Sequence, residues 1–200
     1  MTELWDWFLK GGYVMYPILI CSVLSVAIAL ERWLFYRNCI ASATFLPKLK
    51  ELLQNGNYTD ALQLAKDNKG DCPRLAERYL EQNSTDLANL ETNANLVLES
   101  YDEHIVFLDM IVTVSPLLGL LGTIIGVISA FKVFDLRAGQ PFAITGGIGE
   151  ALIATAFGLI VAILALALHG VLRYYADSLT ADVRQCCAIL EIRKQNEAKA

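Results

Sequence analysis

Three stretches of this chain contain no Asp, Glu, Lys or Arg: residues 11–30, 111–131 and 151–172, of 20, 21 and 22 residues. At about 1.5 Å of rise per helical residue, each is long enough to cross a hydrocarbon core of roughly 30 Å. In lipid every backbone amide and carbonyl must be satisfied within the segment, so such runs fold as helices. Composition agrees, with 55% hydrophobic and 18% charged residues. The expected fold is an all-α membrane protein with three transmembrane helices extended into a cytoplasmic helical bundle.

The first run does not read as a signal peptide. The segment before it, MTELWDWFLK, is acidic and tryptophan-rich, and no clear cleavage site follows. Trp5, Trp7, Tyr13 and Tyr16 fit an interfacial aromatic belt. Of the 16 Lys and Arg residues, 13 lie in residues 31–109 or after residue 172. The positive-inside rule therefore places the N-terminus outside and the C-terminus in the cytoplasm, with Arg32, Arg37 and Arg173 at the inner boundary. The resulting division is an extracytoplasmic segment 1–12, span 13–36, cytoplasmic domain 37–108, span 109–133, outer loop 134–147, span 148–172 and cytoplasmic tail 173–200.

Helical periodicity continues outside the lipid. Leu30, Leu34 and Phe35 extend the first helix, and Phe45, Leu49, Leu52 and Leu53 mark another. Asn57 or Thr59 caps a helix whose inner face carries Ala61, Leu62, Leu64 and Ala65, and GDCP at 70–73 reads as a break. From about residue 86, Leu87, Leu90, Ala94, Leu98, Tyr101, Ile105 and Leu108 lead into the second span with no proline or glycine. One continuous helix is expected there. In the tail, Leu179, Val183, Cys187, Leu190 and Ile192 continue a helical pattern.

The second run, SPLLGLLGTIIGVISAF, holds more small and hydroxyl residues than lipid solubility requires. Ser115, Gly119, Gly122, Gly126 and Ser129 are spaced 4, 3, 4, 3, and Ala151, Thr155, Gly158, Ala162 and Ala165 repeat that spacing, with His169 extending the row. Matching small-residue stripes let two helices approach closely where lipid offers no hydrophobic drive. Thr123 lies about 100° round the helix from its stripe. With Thr155 and with Glu150 at the outer start of the third span, it suggests a polar-lined pore, against a plainer reading of back-bonded threonines and a wetted glutamate. Pro116 predicts a kink. No carboxylate lies within the three runs, so a titrating group in such a pore comes from a partner or from Glu150. No catalytic triad, phosphate loop or metal cluster stands out, and no cofactor is expected. His104 and His169 read as interfacial. The five cysteines have no metal-ligand spacing and read as reduced, structural thiols. A formal charge of −5 disfavours nucleic acid as partner.

SPLLGLLGTIIGVISAF followed by IGEALIATAFGLIVAI, with LERWLFYRN after the first span, resembles the ExbB/TolQ/MotA proton-channel family, nearest to ExbB and TolQ. The resemblance covers the whole layout of spans. It implies a homo-pentamer around a hydrophobic lumen holding an ExbD-like or TolR-like single-span partner, whose membrane aspartate carries the proton. It also implies transfer of force to a TonB-like or TolA-like protein. By motif position, Thr123 and Thr155 match threonines facing that aspartate, and Glu150 the glutamate opening EALIATA. Pro116, Gly119, Gly122 and Gly126 match the second-span motif, and Gly158 belongs to the third-span packing stripe. Where the family has proline after GLxxAI, this chain has Leu164, so a straighter third span is expected. The function implied is a proton-conducting subunit driving TonB-dependent import from the inner membrane. A TolQ-type role in envelope maintenance and a non-conducting scaffold are the alternatives; an enzyme is disfavoured.

Overall fold

A computed structural model describes residues 8, 11–81, 87–136 and 142–197. The expected aromatic belt residues Trp5 and Trp7, and residues 137–141 of the outer loop, lie outside the described residues. Among those described, every regular element is a helix: α1 Met15–Cys39, α2 Phe45–Gln54, α3 Tyr58–Asp67, α4 Asp71–Glu81, α5 Leu87–Asp102, α6 Ile105–Leu136 and α7 Phe142–Glu197. Stretches long and apolar enough to cross a membrane lie in Met15–Cys39, Ala88–Lys132 and Gly146–Arg193. The all-α membrane fold expected from the sequence is the one observed.

The chain divides into two compact units. The first comprises Met1–Leu30 and His104–Val171. Its core is narrow and aliphatic: Val14, Ile18, Ile111, Val161 and Ala165, flanked by Cys21, Ile28, Leu118 and Phe157. Leu120, Ile124, Leu152 and Ile163 are exposed. Such an outward apolar surface suits lipid or other transmembrane chains as solvent.

The second unit comprises Glu31–Glu103 and Leu172–Ala200. Phe45, Leu49 and Leu53 of α2 are buried at helical spacing, as are Ala61 and Ala65 of α3 and Leu90, Ala94 and Tyr101 of α5. On α7 the buried row is Leu172, Ala176, Leu179, Val183, Cys186 and Leu190. Polar groups anchor this core. The Tyr36 hydroxyl donates to the Tyr101 carbonyl at 2.7 Å, and the Tyr101 hydroxyl donates to Asp71 Oδ2 at 2.8 Å. Arg32 donates to the Ser100 carbonyl at 2.9 Å, and Arg173 pairs with Asp102 at 2.8 Å.

One local expectation fails and three are refined. The helix expected to run unbroken from about residue 86 is interrupted between Asp102 and Ile105, where His104 has φ 64°. Histidine is among the few non-glycine residues enriched in the left-handed region, so the break needed neither glycine nor proline. The expected extension of α1 runs to Cys39, but it buries Arg32, Tyr36 and Cys39, whereas Leu30 and Leu34 are exposed. The GDCP break is confined to its glycine. Gly70 has φ 119°, and a Cβ there would lie 2.9 Å from the Cys39 carbonyl oxygen; Asp71, Cys72 and Pro73 already belong to α4. Proline is tolerated there because the first helical turn has no intrahelical partner for its amides. In the tail, Cys186 is fully buried and Cys187 only partly.

Candidate functional site

The seam between α6 and α7 is built almost without side chains. A Cβ on Gly158 would lie 2.7 Å from the Ser115 carbonyl oxygen and 3.0 Å from Gly119 Cα. One on Gly119 would lie 3.1 Å from Thr155 Cα, and one on Gly126 would lie 2.9 Å from the Gly147 carbonyl oxygen. Gly122 faces Ala154, whose Cβ would be 2.6 Å away, and the far side of the same position faces Val14 of the N-terminal region. Backbone meets backbone along several turns, as the matched stripes predict.

The stripe departs from its expected course at one end. Ser129 is exposed, and Ala130 is buried instead. Gly147 packs there, where a Cβ would lie 2.8 Å from Ala130 Cβ. The spacing rule stopped one residue short because both a three- and a four-residue step remain near one helical face. The glycine-rich ITGGIGE was the available signal for the matching position.

Thr155 is half-buried in this seam. Its hydroxyl donates to the Gly119 carbonyl oxygen at 2.9 Å and lies 3.3 Å from that of Ala151. The first bond crosses from α7 to α6; the second is back-bonding within α7. Thr123, also half-buried, donates to the Leu120 carbonyl at 2.6 Å. Within α6 the amide of residue 123 donates to the carbonyl of residue 119. The two threonines therefore share one acceptor, the Gly119 carbonyl, reached from Thr123 by its amide and from Thr155 by its hydroxyl.

This arrangement fixes what the hydroxyls offer outward. A threonine has one proton and two lone pairs. With the proton committed to a carbonyl, each oxygen presents an acceptor. It can receive a hydrogen bond from water or a neutral carboxylic acid; to bind a carboxylate it must first release its backbone partner.

Helix α6 continues through Pro116, which lacks the amide that would bond the carbonyl of residue 112. Ser115 is fully buried, and its hydroxyl oxygen has no hydrogen-bond partner among the described residues. Glu150 is half-buried and lies against Gly12, a contact the sequence pattern did not reveal. His169 is half-buried, and His104 marks the break before α6. No group of three or more metal-binding side chains occurs among the described residues.

Comparison with known proteins fits this geometry. Residues 64–185 match the family described as the MotA/TolQ/ExbB proton channel family. The chain is 36% identical over 176 residues to putative biopolymer transport protein ExbB-like 3 of Synechocystis, covering 82% of each chain. It is 28% identical to biopolymer transport protein exbB1 of Vibrio cholerae, covering 83% of this chain and 77% of the relative. Identity to the Tol-Pal system protein TolQ of Haemophilus influenzae is 29%, over 88% of this chain and 87% of that one.

Proposed function

The chain belongs to the MotA/TolQ/ExbB proton channel family, and from that membership we propose that it drives TonB-dependent transport across the outer membrane. Members of this family are channel and transport subunits rather than enzymes. In this reading the chain sits in the bacterial inner membrane, N-terminus periplasmic and C-terminus cytoplasmic. Five copies surround a lumen occupied by an ExbD-like single-span partner, and proton flow through the complex moves a TonB-like protein.

The observation that carries the reading is the Thr155 hydroxyl bond to the Gly119 carbonyl, 2.9 Å across the seam. It leaves the Thr155 oxygen with lone pairs among apolar helices, and the Thr123 hydroxyl bonds the Leu120 carbonyl, one residue on from the same acceptor. Either oxygen can accept the single O–H of a protonated partner aspartate. Loss of that proton removes the donor, so the deprotonated carboxylate is repelled by lone pairs unless a hydroxyl turns toward it. Protonation state thus decides whether the partner's carboxyl rests at this position, which is the coupling a proton-driven motor requires. Glu150, at the outer start of the third span, is the channel's own titratable rim group.

The test is reconstitution into vesicles with the partner, followed by proton uptake under an imposed gradient. Uptake that falls in Thr155→Val and recovers in Thr155→Ser supports the proposal; equal uptake in all three chains sinks it. The similarity to TolQ favours a second reading, a Tol-Pal role. Co-purification separates the two, since a TolR-like and TolA-like pair in place of the ExbD-like and TonB-like pair assigns the Tol-Pal role.

A further inference from the structure

The chain enters α1 through two glycines. Gly12 has φ 72°, and the Met15 amide donates back to its carbonyl at 3.2 Å. This turn carries Val14, Met15 and Ile18 into the interior, at 8%, 1% and 1% exposure, while Tyr13 is turned outward at 90%. Gly11 lies beside Ile153, whose Cγ2 would be 3.3 Å from a Cβ on that glycine. Gly12 lies beside Glu150: a Cβ there would run into Oε1 and stand 2.9 Å from Cδ and 3.4 Å from Cγ. Residues 150 and 153 are three apart on α7, so the glycine pair covers one face of that helix.

We propose that Gly12 is a positioning residue for Glu150, its bare Cα forming the seat on which the carboxylate lies at the start of the third span. Two independent conditions require glycine here. The left-handed φ excludes most L-residues, and the volume a Cβ would fill is taken by the carboxylate. The neighbour the structure gives that carboxylate is Gly12, where no side chain intervenes. The first span then sets the direction in which the rim glutamate points. The consequence for ion movement rests on the function proposed above; the seat itself does not.

Gly56 supplies a control, since its φ of 75° is similar but nothing lies within 4 Å of the Cβ position. Gly56→Ala reports backbone strain alone, an expected drop of about 2–8 °C in the unfolding midpoint. Gly12→Ala should lower the midpoint further, and in a Glu150→Ala background its penalty should shrink to the Gly56→Ala size. If Gly12→Ala does not fold, recovery of folding in Gly12→Ala/Glu150→Ala supports the seat, and failure of both overturns it. Equal penalties in the two backgrounds also overturn it. The second readout is modification of Glu150 by a water-soluble carbodiimide and an amine, followed by peptide mass spectrometry of the intact assembly. Gly12→Ala should be labelled several-fold faster than the parent, and an unchanged rate rejects the positioning role. Absence of proton uptake in the parent chain would remove the functional reading while leaving this coupling measurable.

Discussion

Where α6 meets α7, the contacts fall at Gly119, Gly122, Gly126 and Gly158, with side chains mostly directed elsewhere. In the unit of residues 31–103 and 172–200, the buried contacts are made by Tyr36, Phe45, Leu49, Leu53 and Tyr101, tied down by hydroxyls, a carboxylate and guanidinium groups. The difference follows from the solvent. Water rewards burial of large apolar side chains. Lipid does not distinguish a leucine in a core from one in the bilayer, so helices there gain mainly from close approach and from hydrogen bonds with no competing water. Glycine thus stabilises the α6–α7 seam, whereas in the other unit Gly56 and Gly70 serve at turns.

Exchanging residue sizes tests this directly. The largest effect is expected from Gly158→Leu, whose first added carbon already meets the backbone of residues 115 and 119. Loss of the assembled species in native mass spectrometry is the anticipated outcome; an unchanged mass breaks the comparison on the lipid side. Phe45→Ala opens a hole in the other core and should cost about 3–5 kcal/mol by thermal unfolding. Tyr101→Phe removes the donor to Asp71 and should cost about 1.5–3 kcal/mol, read from the same transition. Thr155→Val deletes one inter-helix bond, worth about 0.6–2 kcal/mol, so the assembly should survive detergent extraction while proton uptake falls. Lys66→Gln should leave the midpoint unchanged. Glu81, 2.7 Å away, raises the Lys66 pKa above its usual value, but both side chains are exposed. Whatever that pair contributes is present below the lysine's ordinary pKa and lost only as pH rises through the raised one.

Much of this was legible in the sequence. Absence of charge over 20 or more residues defined three spans, and the small-residue stripes identified the partner faces of two of them. The buried rows of α2, α3 and α5 follow helical spacing because water enforces that pattern. What stayed hidden depends on backbone conformation or on distant neighbours. The left-handed turn at His104 carries no obligatory residue type, and the inward face of α1 after Leu30 is marked by Arg32 and Tyr36 rather than aliphatic residues. The glycine pair at 11–12 reads as a turn in any sequence; that it seats a carboxylate from residue 150 requires coordinates. Thr155 was visible as a hydroxyl in a stripe, but its acceptor on another helix was not.

A ladder of equally spaced small rungs has more than one place to stop. Sliding one stripe past the other by seven residues, about 10.5 Å, would again set small residue against small residue. Dispersion alone distinguishes such alignments weakly, because glycine offers no shape to interlock. The Thr155 hydroxyl adds a directional term to that packing, since in the present alignment the close approach at Gly119 brings it within 2.9 Å of a backbone carbonyl. That bond acts as a detent on an otherwise smooth rail, adding its hold to the close backbone contacts at Gly119, Gly126 and Gly158.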